Sequence, residues 1–152
     1  MTSHAFHASC VLLPDCKMAG ILITGPAQSG KSSLALQLLE TGGLLVSDDQ
    51  TLVKPGSNGL IATAPEALKG LVEIHGYGIV QLPPDKVAPA ATLTLSVAII
   101  PPELPLERLP EQGTQQILAV KLPHLALRPH DPASVAKIRA VLRYRLLDYS
   151  DV

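Results

Sequence analysis

Residues Gly20 to Ser32 read GILITGPAQSGKS. The first five residues are a continuous aliphatic and β-branched run, which predicts a buried strand. The next eight, Gly25 to Ser32, match the phosphate-loop pattern G-x-x-x-x-G-K-[ST]. Lys31 to Thr41 then reads as a helix with leucines on one face, and Gly42 follows its end. This order of strand, loop and helix argues against a chance match to the pattern.

The loop carries the chemistry that a polyphosphate requires. Glycines let the backbone curl so that its N–H groups point at the phosphates, and the helix adds its positive end. Lys31 would contact the β- and γ-phosphates, and the Ser32 hydroxyl would ligate Mg²⁺. The candidate nucleotide-binding residues are Gly25, Pro26, Ala27, Gln28, Ser29, Gly30, Lys31, Ser32 and Ser33.

Two carboxylates, Asp48 and Asp49, follow a second predicted buried strand, Leu44 to Ser47. P-loop enzymes use a carboxylate at such a strand end to hold Mg²⁺ or its water, and a second acid can accept a hydroxyl proton. The alternative is a solvated turn, where Asp is common. Glu73 interrupts an apolar run, Leu71 to Ile74, and the residues alone favour a side chain that faces water.

Short strands dominate the remaining sequence, which together with the first helix predicts an α/β fold. Ala8 to Leu13 is one candidate strand, and PGSNG at 55–59 predicts a hairpin turn between two others. Thr92 to Ile100 is the longest candidate, and an exposed loop is expected over Pro101 to Gly113. Further short strands are predicted at Ile117 to Val120 and Leu125 to Leu127.

A last helix is predicted to begin at Asp131-Pro132, with Asp as N-cap and Pro at the first helical position. Its apolar stripe comprises Val135, Ile138, Leu142 and Leu146. Its other surface is basic, with Lys137, Arg139, Arg143 and Arg145. This surface is either a docking site for a protein partner or an ordinary amphipathic face.

Composition limits the class of protein. The 152 residues fit one domain, 1–152, and 47% of them are hydrophobic, which is enough for a core without disulfides. A net charge of -1 and the scarcity of aromatic residues argue against a nucleic-acid partner. Without a signal-peptide pattern or a membrane-length apolar run, we expect a cytoplasmic protein with no membrane contact. Cys10 and Cys16 are expected to be reduced filler residues.

Three ordered motifs resemble the catalytic domain of the bacterial HPr kinase/phosphorylase family. The first is the phosphate loop, and the second is LVSDDQ at 45–50, which is similar to the family's L-V-A-D-D. The third is GLVEIHGYGIV at 70–80, which is similar to G-x-x-E-I-R-G-x-G-I-[IV]. His7-Ala8 also resembles the family's His-Gly. The match runs through most of the chain. The chain resembles the short members of the family, which lack the amino-terminal domain of the longer members.

The resemblance implies an enzyme that moves a phosphoryl group from ATP, with Mg²⁺, to a serine of the phosphocarrier protein HPr. Many members also remove that phosphate with inorganic phosphate and release pyrophosphate. The resemblance assigns Asp48 as the general base and Asp49 as a second catalytic aspartate. It places His7 near the phosphate, and Ser32 and Glu73 at the metal. It further implies a mixed-sheet fold like the nucleotide-binding part of phosphoenolpyruvate carboxykinase, and a homo-oligomer, specifically a hexamer.

Two departures from the family pattern keep alternatives open. His75 stands where the signature has arginine, so a permanently charged guanidinium becomes an imidazole. Arg108 is the sole arginine of the proline-rich loop and is either a nucleotide contact or a solvated surface charge. The second functional hypothesis is a catalytically impaired nucleotide-binding regulatory module of the phosphotransferase system. A third, a small-molecule kinase, is disfavoured by the 70–80 motif.

Overall fold

The computed structural model of the chain describes residues 2–110 and 114–147. Within these residues the chain forms short strands and two α-helices. In chain order the strands β1 to β11 are His4–Phe6, Ala8–Leu13, Ala19–Thr24, Leu44–Ser47, Thr51–Gly56, Gly59–Thr63, Leu71–Ile74, Gly78–Gln81, Ala91–Ile99, Thr114–Ile117 and Val120–Leu127. The helices α1 and α2 are Lys31–Glu40 and Ser134–Arg143.

Nine of these strands form one mixed sheet that runs in the order β1-β5-β6-β9-β3-β2-β4, with β11 beside β9 and β10 beside β11. The pairs β3/β9 and β9/β11 are parallel, whereas the other pairs are antiparallel. Strands β7 and β8 form a separate hairpin. The predicted α/β class is confirmed, and the sheet is curled and mixed.

The central strands are buried on both faces, which explains why their sequences are apolar without interruption. Side chains alternate across a strand, so Val11 and Ile21 enter one core while Cys10 and Leu22 enter the other. The first core lies between the sheet and the two helices, and the second is closed by β5, β6 and the β10–β11 hairpin. Helix α1 buries Leu34, Ala35, Leu38 and Leu39, as its leucine spacing predicts.

The predictions for β2, β3, β4, the β5–β6 hairpin and the long strand β9 are confirmed within one or two residues. The predicted exposed loop is confirmed over its described part, since 101–110 is exposed apart from Pro101 and Leu106, which are half-buried. Residues 111–113 of that prediction lie outside the described residues. No helix in the described ranges is long and apolar enough to span a membrane.

The strand predicted at Ile117 to Val120 is wrong. Ile117 ends β10, Val120 begins β11, and Leu118 and Ala119 form the tight turn between them. Both turn residues have positive φ, 45° and 68°, the left-handed conformation that two-residue hairpins require. That turn normally contains Asn or Gly, so an apolar Leu-Ala pair gives no sequence signal for it.

The start of the last helix is also corrected. Asp131 Oδ1 accepts the N–H of Ala133 at 2.8 Å, and the Asp131 carbonyl accepts the N–H of Ser134 at 3.1 Å. These bonds form a turn, so the helix begins at Ser134, three residues after the predicted N-cap. At the other end the helix stops at Arg143, and Leu146 of the predicted apolar stripe is exposed.

Two of the basic residues of α2 bind the chain itself. Arg139 Nε donates to Asp15 Oδ2 at 2.8 Å, and the same guanidinium donates to the carbonyl of Thr41, also at 2.8 Å. Arg143 Nη2 lies 2.9 Å from Asp15 Oδ2. The Arg139 side chain is only 12% exposed, so it ties α2 to the end of α1. It is therefore a structural residue rather than part of a free docking surface.

Candidate phosphate-binding and catalytic site

The loop that matches the phosphate pattern connects β3 to α1, as expected. Gly30 precedes the helix with φ of 102°, a conformation that glycine adopts without strain. The Gly30 carbonyl accepts the first helical hydrogen bond, from Leu34 at 2.9 Å. Since the N–H groups of a first helical turn lack helical partners, they are available to an anion.

Lys31 folds back over this loop. Its Nζ donates to the carbonyls of Pro26 at 2.8 Å and Gly25 at 3.0 Å, and the residue is 5% exposed. Burial lowers the pKa of the Lys31 ammonium, and the charges of Asp49 and Asp48 oppose that shift. The nearby carboxylates therefore help to keep the ammonium protonated.

Asp48 is the best-connected side chain of the site. It is 5% exposed and accepts hydrogen bonds from Ser9 Oγ at 2.7 Å, from Ser32 Oγ at 2.8 Å, and from the Glu73 backbone N–H at 3.0 Å. A buried carboxylate is tolerated only when its oxygens are satisfied in this way. We call Ser9, Ser32 and Asp48 the floor of the site.

Asp49 has the opposite environment. It is the centre of a three-residue turn in which the Gln50 N–H donates to the Asp48 carbonyl at 2.7 Å, and its φ is 67°. A non-glycine residue in this region is strained, and such strain is typical of functional sites. The Ser9 hydroxyl accepts the Asp49 N–H at 3.2 Å, and Asp49 Oδ1 lies 2.9 Å from His7 Nε2.

A cavity of about 210 Å³ opens above the floor. From the phosphate loop and α1 it is lined by Gln28, Gly30, Lys31, Ser32 and Ser33, and from elsewhere by Asp49, Glu73, His75 and His130. Val72, on the same hairpin as Glu73 and His75, packs against Leu39 and Leu45, which holds that hairpin beside the loop. We call the exposed residues that line the cavity from outside the phosphate loop and α1, together with His7 beside Asp49, the rim: His7, Asp49, Glu73, His75 and His130.

The structure brings most of the predicted site residues together. Beyond the residues already placed, Pro26 and Ala27 are exposed on the loop, and Ser29 packs within it. Glu73 contributes its backbone N–H to the floor while its carboxylate belongs to the rim. The assignment of chemical roles to these residues stays a prediction.

Arg108 does not line this cavity. It lies in the proline-rich loop and borders a separate, wide depression that Lys137 and His124 also line. Within the described residues it therefore has no link to the phosphate loop, and its predicted contact with the nucleotide gains no support from the structure.

Sequence reasoning missed three residues of the site as contributors. Ser9 is a polar residue in the apolar run of β2, and such a residue needs a buried partner, so a signal was present. His75 stood out only as a departure from the family signature. His130 lies far along the chain in a turn, and nothing in the sequence indicates that it reaches the cavity.

The donor set of the cavity fits a polyphosphate with a hard cation. Ser29 Oγ is buried and has no hydrogen-bond partner among the described residues, so the loop retains an unsatisfied polar atom. In the described part of the chain, no cluster of three or more acidic, histidine or cysteine side chains could hold a metal ion by itself. Mg²⁺ usually takes one or two protein ligands and completes its shell with water and phosphate oxygens. Ser32 with Asp48 or Glu73 would suffice.

The solved structure of the Hpr(Ser) kinase/phosphatase from Coxiella burnetii resembles this fold with a TM-score of 0.77 and 30% identity. The match covers 92% of this chain and 88% of that chain. The HPr kinase/phosphorylase of Limosilactobacillus reuteri is 33% identical over 148 residues, which cover 88% of this chain and 45% of that protein. The one from Geobacillus thermodenitrificans is 33% identical over 149 residues, with 89% and 47% covered.

The chain thus spans a little under half of the length of these two relatives. A family model described as the HPr Serine kinase C-terminal domain matches residues 2–146, which is nearly the whole chain. Sequence, fold and cavity agree with that match, and the chain belongs to the family of HPr serine kinase C-terminal domains.

Proposed function

We propose that this chain is a single catalytic domain that transfers the γ-phosphoryl group of ATP to a serine of an HPr-type phosphocarrier protein. The relatives named HPr kinase/phosphorylase support the class of reaction. The observation that carries the proposal is one cavity in which Lys31, Ser32 and Asp49 meet. These residues supply a cation, a hydroxyl and a carboxylate, which phosphoryl transfer needs in one place.

The cavity suits the phosphates rather than the whole nucleotide. Its volume of about 210 Å³ is below the roughly 300–1,000 Å³ typical of small-molecule sites. We therefore expect the phosphates to lie against Gly30, Lys31 and Ser32, with the nucleoside outside. Bound Mg²⁺, held by Ser32 with Asp48 or Glu73, would neutralise phosphate charge.

The geometry favours a division of roles between the two aspartates that differs from the assignment by resemblance. Asp48 is buried and already accepts hydrogen bonds from Ser9, Ser32 and the Glu73 amide, so the hydroxyl of a protein substrate reaches it less readily than it reaches Asp49. Asp49 is exposed at the rim, and among the described residues its carboxylate is hydrogen bonded to one side chain, His7. We propose that Asp49 is the general base and that Asp48 orders the floor.

The transfer then proceeds at Asp49. Its carboxylate accepts the proton of the substrate serine hydroxyl while the serine oxygen bonds to the γ-phosphorus. The bond from that phosphorus to the β-phosphate oxygen breaks, and ADP leaves. The His7 ring, 2.9 Å away, orients the Asp49 carboxylate.

The reverse reaction with inorganic phosphate, a homo-oligomeric state and a cytoplasmic location are further proposals that follow from the resemblance. His75 bears on the reverse reaction, because it lines the cavity where the family signature has an arginine. We expect an imidazole there to hold a second phosphate less firmly than a guanidinium, which can bind in a bidentate manner.

The test is incubation with γ-labelled ATP, Mg²⁺ and purified HPr, followed by mass spectrometry of HPr. Phosphoserine on HPr, lost in the Lys31→Ala protein, supports the proposal. ADP release that does not depend on HPr would instead indicate another acceptor. Nucleotide binding without label on HPr would favour the regulatory module, and absence of nucleotide binding would overturn both.

A further inference from the structure

His130 occupies an unusual position for a residue that no motif marks. It lies in the turn between β11 and α2, its φ is 59°, and its side chain is exposed. Histidine in the left-handed region is uncommon and costs conformational energy. Among the described residues no group is hydrogen bonded to its ring, so local hydrogen bonding does not explain why a histidine stands there.

The ring lies against the start of α1. A Cβ atom placed on Gly30 would be 3.6 Å from His130 Cε1 and 4.0 Å from Nδ1. His130 also lines the same cavity as Lys31 and Ser32. It therefore lies beside the position where the phosphate loop would hold an anion, in the cavity that Glu73 and His75 also line.

We infer that His130 is an additional phosphate-binding residue, whose ring N–H donates to a terminal phosphate oxygen of the bound nucleotide. This inference rests on the proposed function and adds a named contact to it. Either neutral tautomer of imidazole carries one N–H donor, so the contact does not require a charged ring. The turn at His130 brings this ring beside Gly30, where the loop would hold the phosphate.

The strain makes a clean test possible. Glycine adopts positive φ freely, so His130→Gly should keep or raise the thermal midpoint of unfolding while it removes the ring. We expect ADP binding, measured by titration calorimetry, to weaken about tenfold, the effect of losing one hydrogen bond to a charged group. Binding of pyrophosphate, which lacks the nucleoside, should weaken by a similar factor.

Ala119→Gly is the matched control. Ala119 also has positive φ, 68°, but lies exposed in the β10–β11 turn and does not line the cavity. The Ala119→Gly protein should keep or raise its thermal midpoint of unfolding, and it should bind ADP as tightly as the unmodified chain does.

Unchanged ADP affinity in His130→Gly, with binding that still depends on Lys31, would overturn this inference and leave the proposed function standing. A loss for ADP but not for pyrophosphate would overturn the phosphate assignment. If the unmodified chain bound neither ligand, the proposed function would fall together with the inference.

Discussion

Asp48 on the floor and Asp49 on the rim are consecutive residues, yet their side chains lie in opposite environments. Asp48 is 5% exposed and is surrounded by donors from three other parts of the chain. The Asp49 side chain is 65% exposed and, within residues 2–110 and 114–147, is hydrogen bonded to one side chain, His7. The turn between them sends one carboxylate into the protein and the other towards solvent.

This difference teaches how the site separates rigidity from access. A carboxylate that the fold saturates with hydrogen bonds is held in one geometry and can position the phosphate loop through Ser32. Under the proposed function, a carboxylate left exposed on the rim is free to meet the protein substrate. A buried carboxylate cannot meet a substrate, and an exposed carboxylate is not held in one geometry. The two proposed roles therefore require two aspartates.

The most direct test of the difference between the two aspartates is to neutralise each one in turn. Asp49→Asn should reduce phosphoryl transfer roughly 10²- to 10⁴-fold with little change in ADP affinity, because the general base is lost while the floor is intact. Asp48→Asn should lower both transfer and the free energy of unfolding, since it disturbs a buried network. Rates from labelled ATP and chemical denaturation measure the two effects. Full transfer in Asp49→Asn would overturn the assignment of Asp49 as the general base.

Lys31→Ala tests the phosphate loop, next to the two aspartates. Removal of the ammonium should weaken ADP binding by at least about 30-fold, corresponding to the loss of a buried, hydrogen-bonded charge interaction of about 2 kcal/mol or more. Lys31→Arg is the control, because it keeps the charge but changes the donor geometry, and we expect partial affinity. ADP titration measures both variants, and equal affinity in Lys31→Ala would place the anion elsewhere.

Ser9→Ala tests the link between the two aspartates, because Ser9 is hydrogen bonded to both of them. Its hydroxyl donates to Asp48 and accepts the Asp49 N–H, so its loss removes one donor from Asp48 and the acceptor of the Asp49 N–H. We expect the free energy of unfolding to fall by about 1–3 kcal/mol and the transfer rate to fall with it. Ser9→Thr keeps the hydroxyl and should recover part of the rate. Denaturant unfolding with no change in midpoint would contradict the assigned role.

The smallest expected effect lies outside the site. The Arg139 guanidinium holds the pKa of Asp15 below its usual 3.8. The stabilisation is therefore complete above the pKa of the unfolded carboxyl and is lost as pH falls through the lower folded pKa. Asp15→Asn should cost less than about 1 kcal/mol at neutral pH, and its difference from the unmodified chain should vanish in strong acid. Urea unfolding between neutral and acidic pH measures this, and ADP affinity should not change.

The sequence predicted the parts of the fold that depend on local pattern. The buried strand before the phosphate loop, the leucine face of α1 and the hairpin at 55–59 each carry a signal within a few residues. The Leu118-Ala119 turn and the start of α2 carry no such signal. Both depend on a backbone conformation that their residue types do not determine.

The residues of the candidate site fall into the same two groups, those that the sequence indicates and those that it does not. Motif spacing identified the phosphate loop and the aspartate pair, and the family resemblance added Glu73; the structure brings them together at and beneath one cavity. Which aspartate is buried depends on the turn at Asp49, and the roles of Ser9 and His130 depend on contacts between distant segments. Such contacts are properties of the assembled fold, and no periodic pattern in the sequence indicates them.

The three donors to Asp48 join segments that are 16, 25 and 39 residues away along the chain. Closing such loops costs chain entropy before any contact forms, so non-local pairings of this kind slow folding. The carboxylate acquires its full set of partners only after β2, α1, β4 and β7 have assembled. On the proposed function, we expect recovery of ADP binding on dilution from denaturant to report the assembly of these four elements, and helical circular dichroism to return earlier.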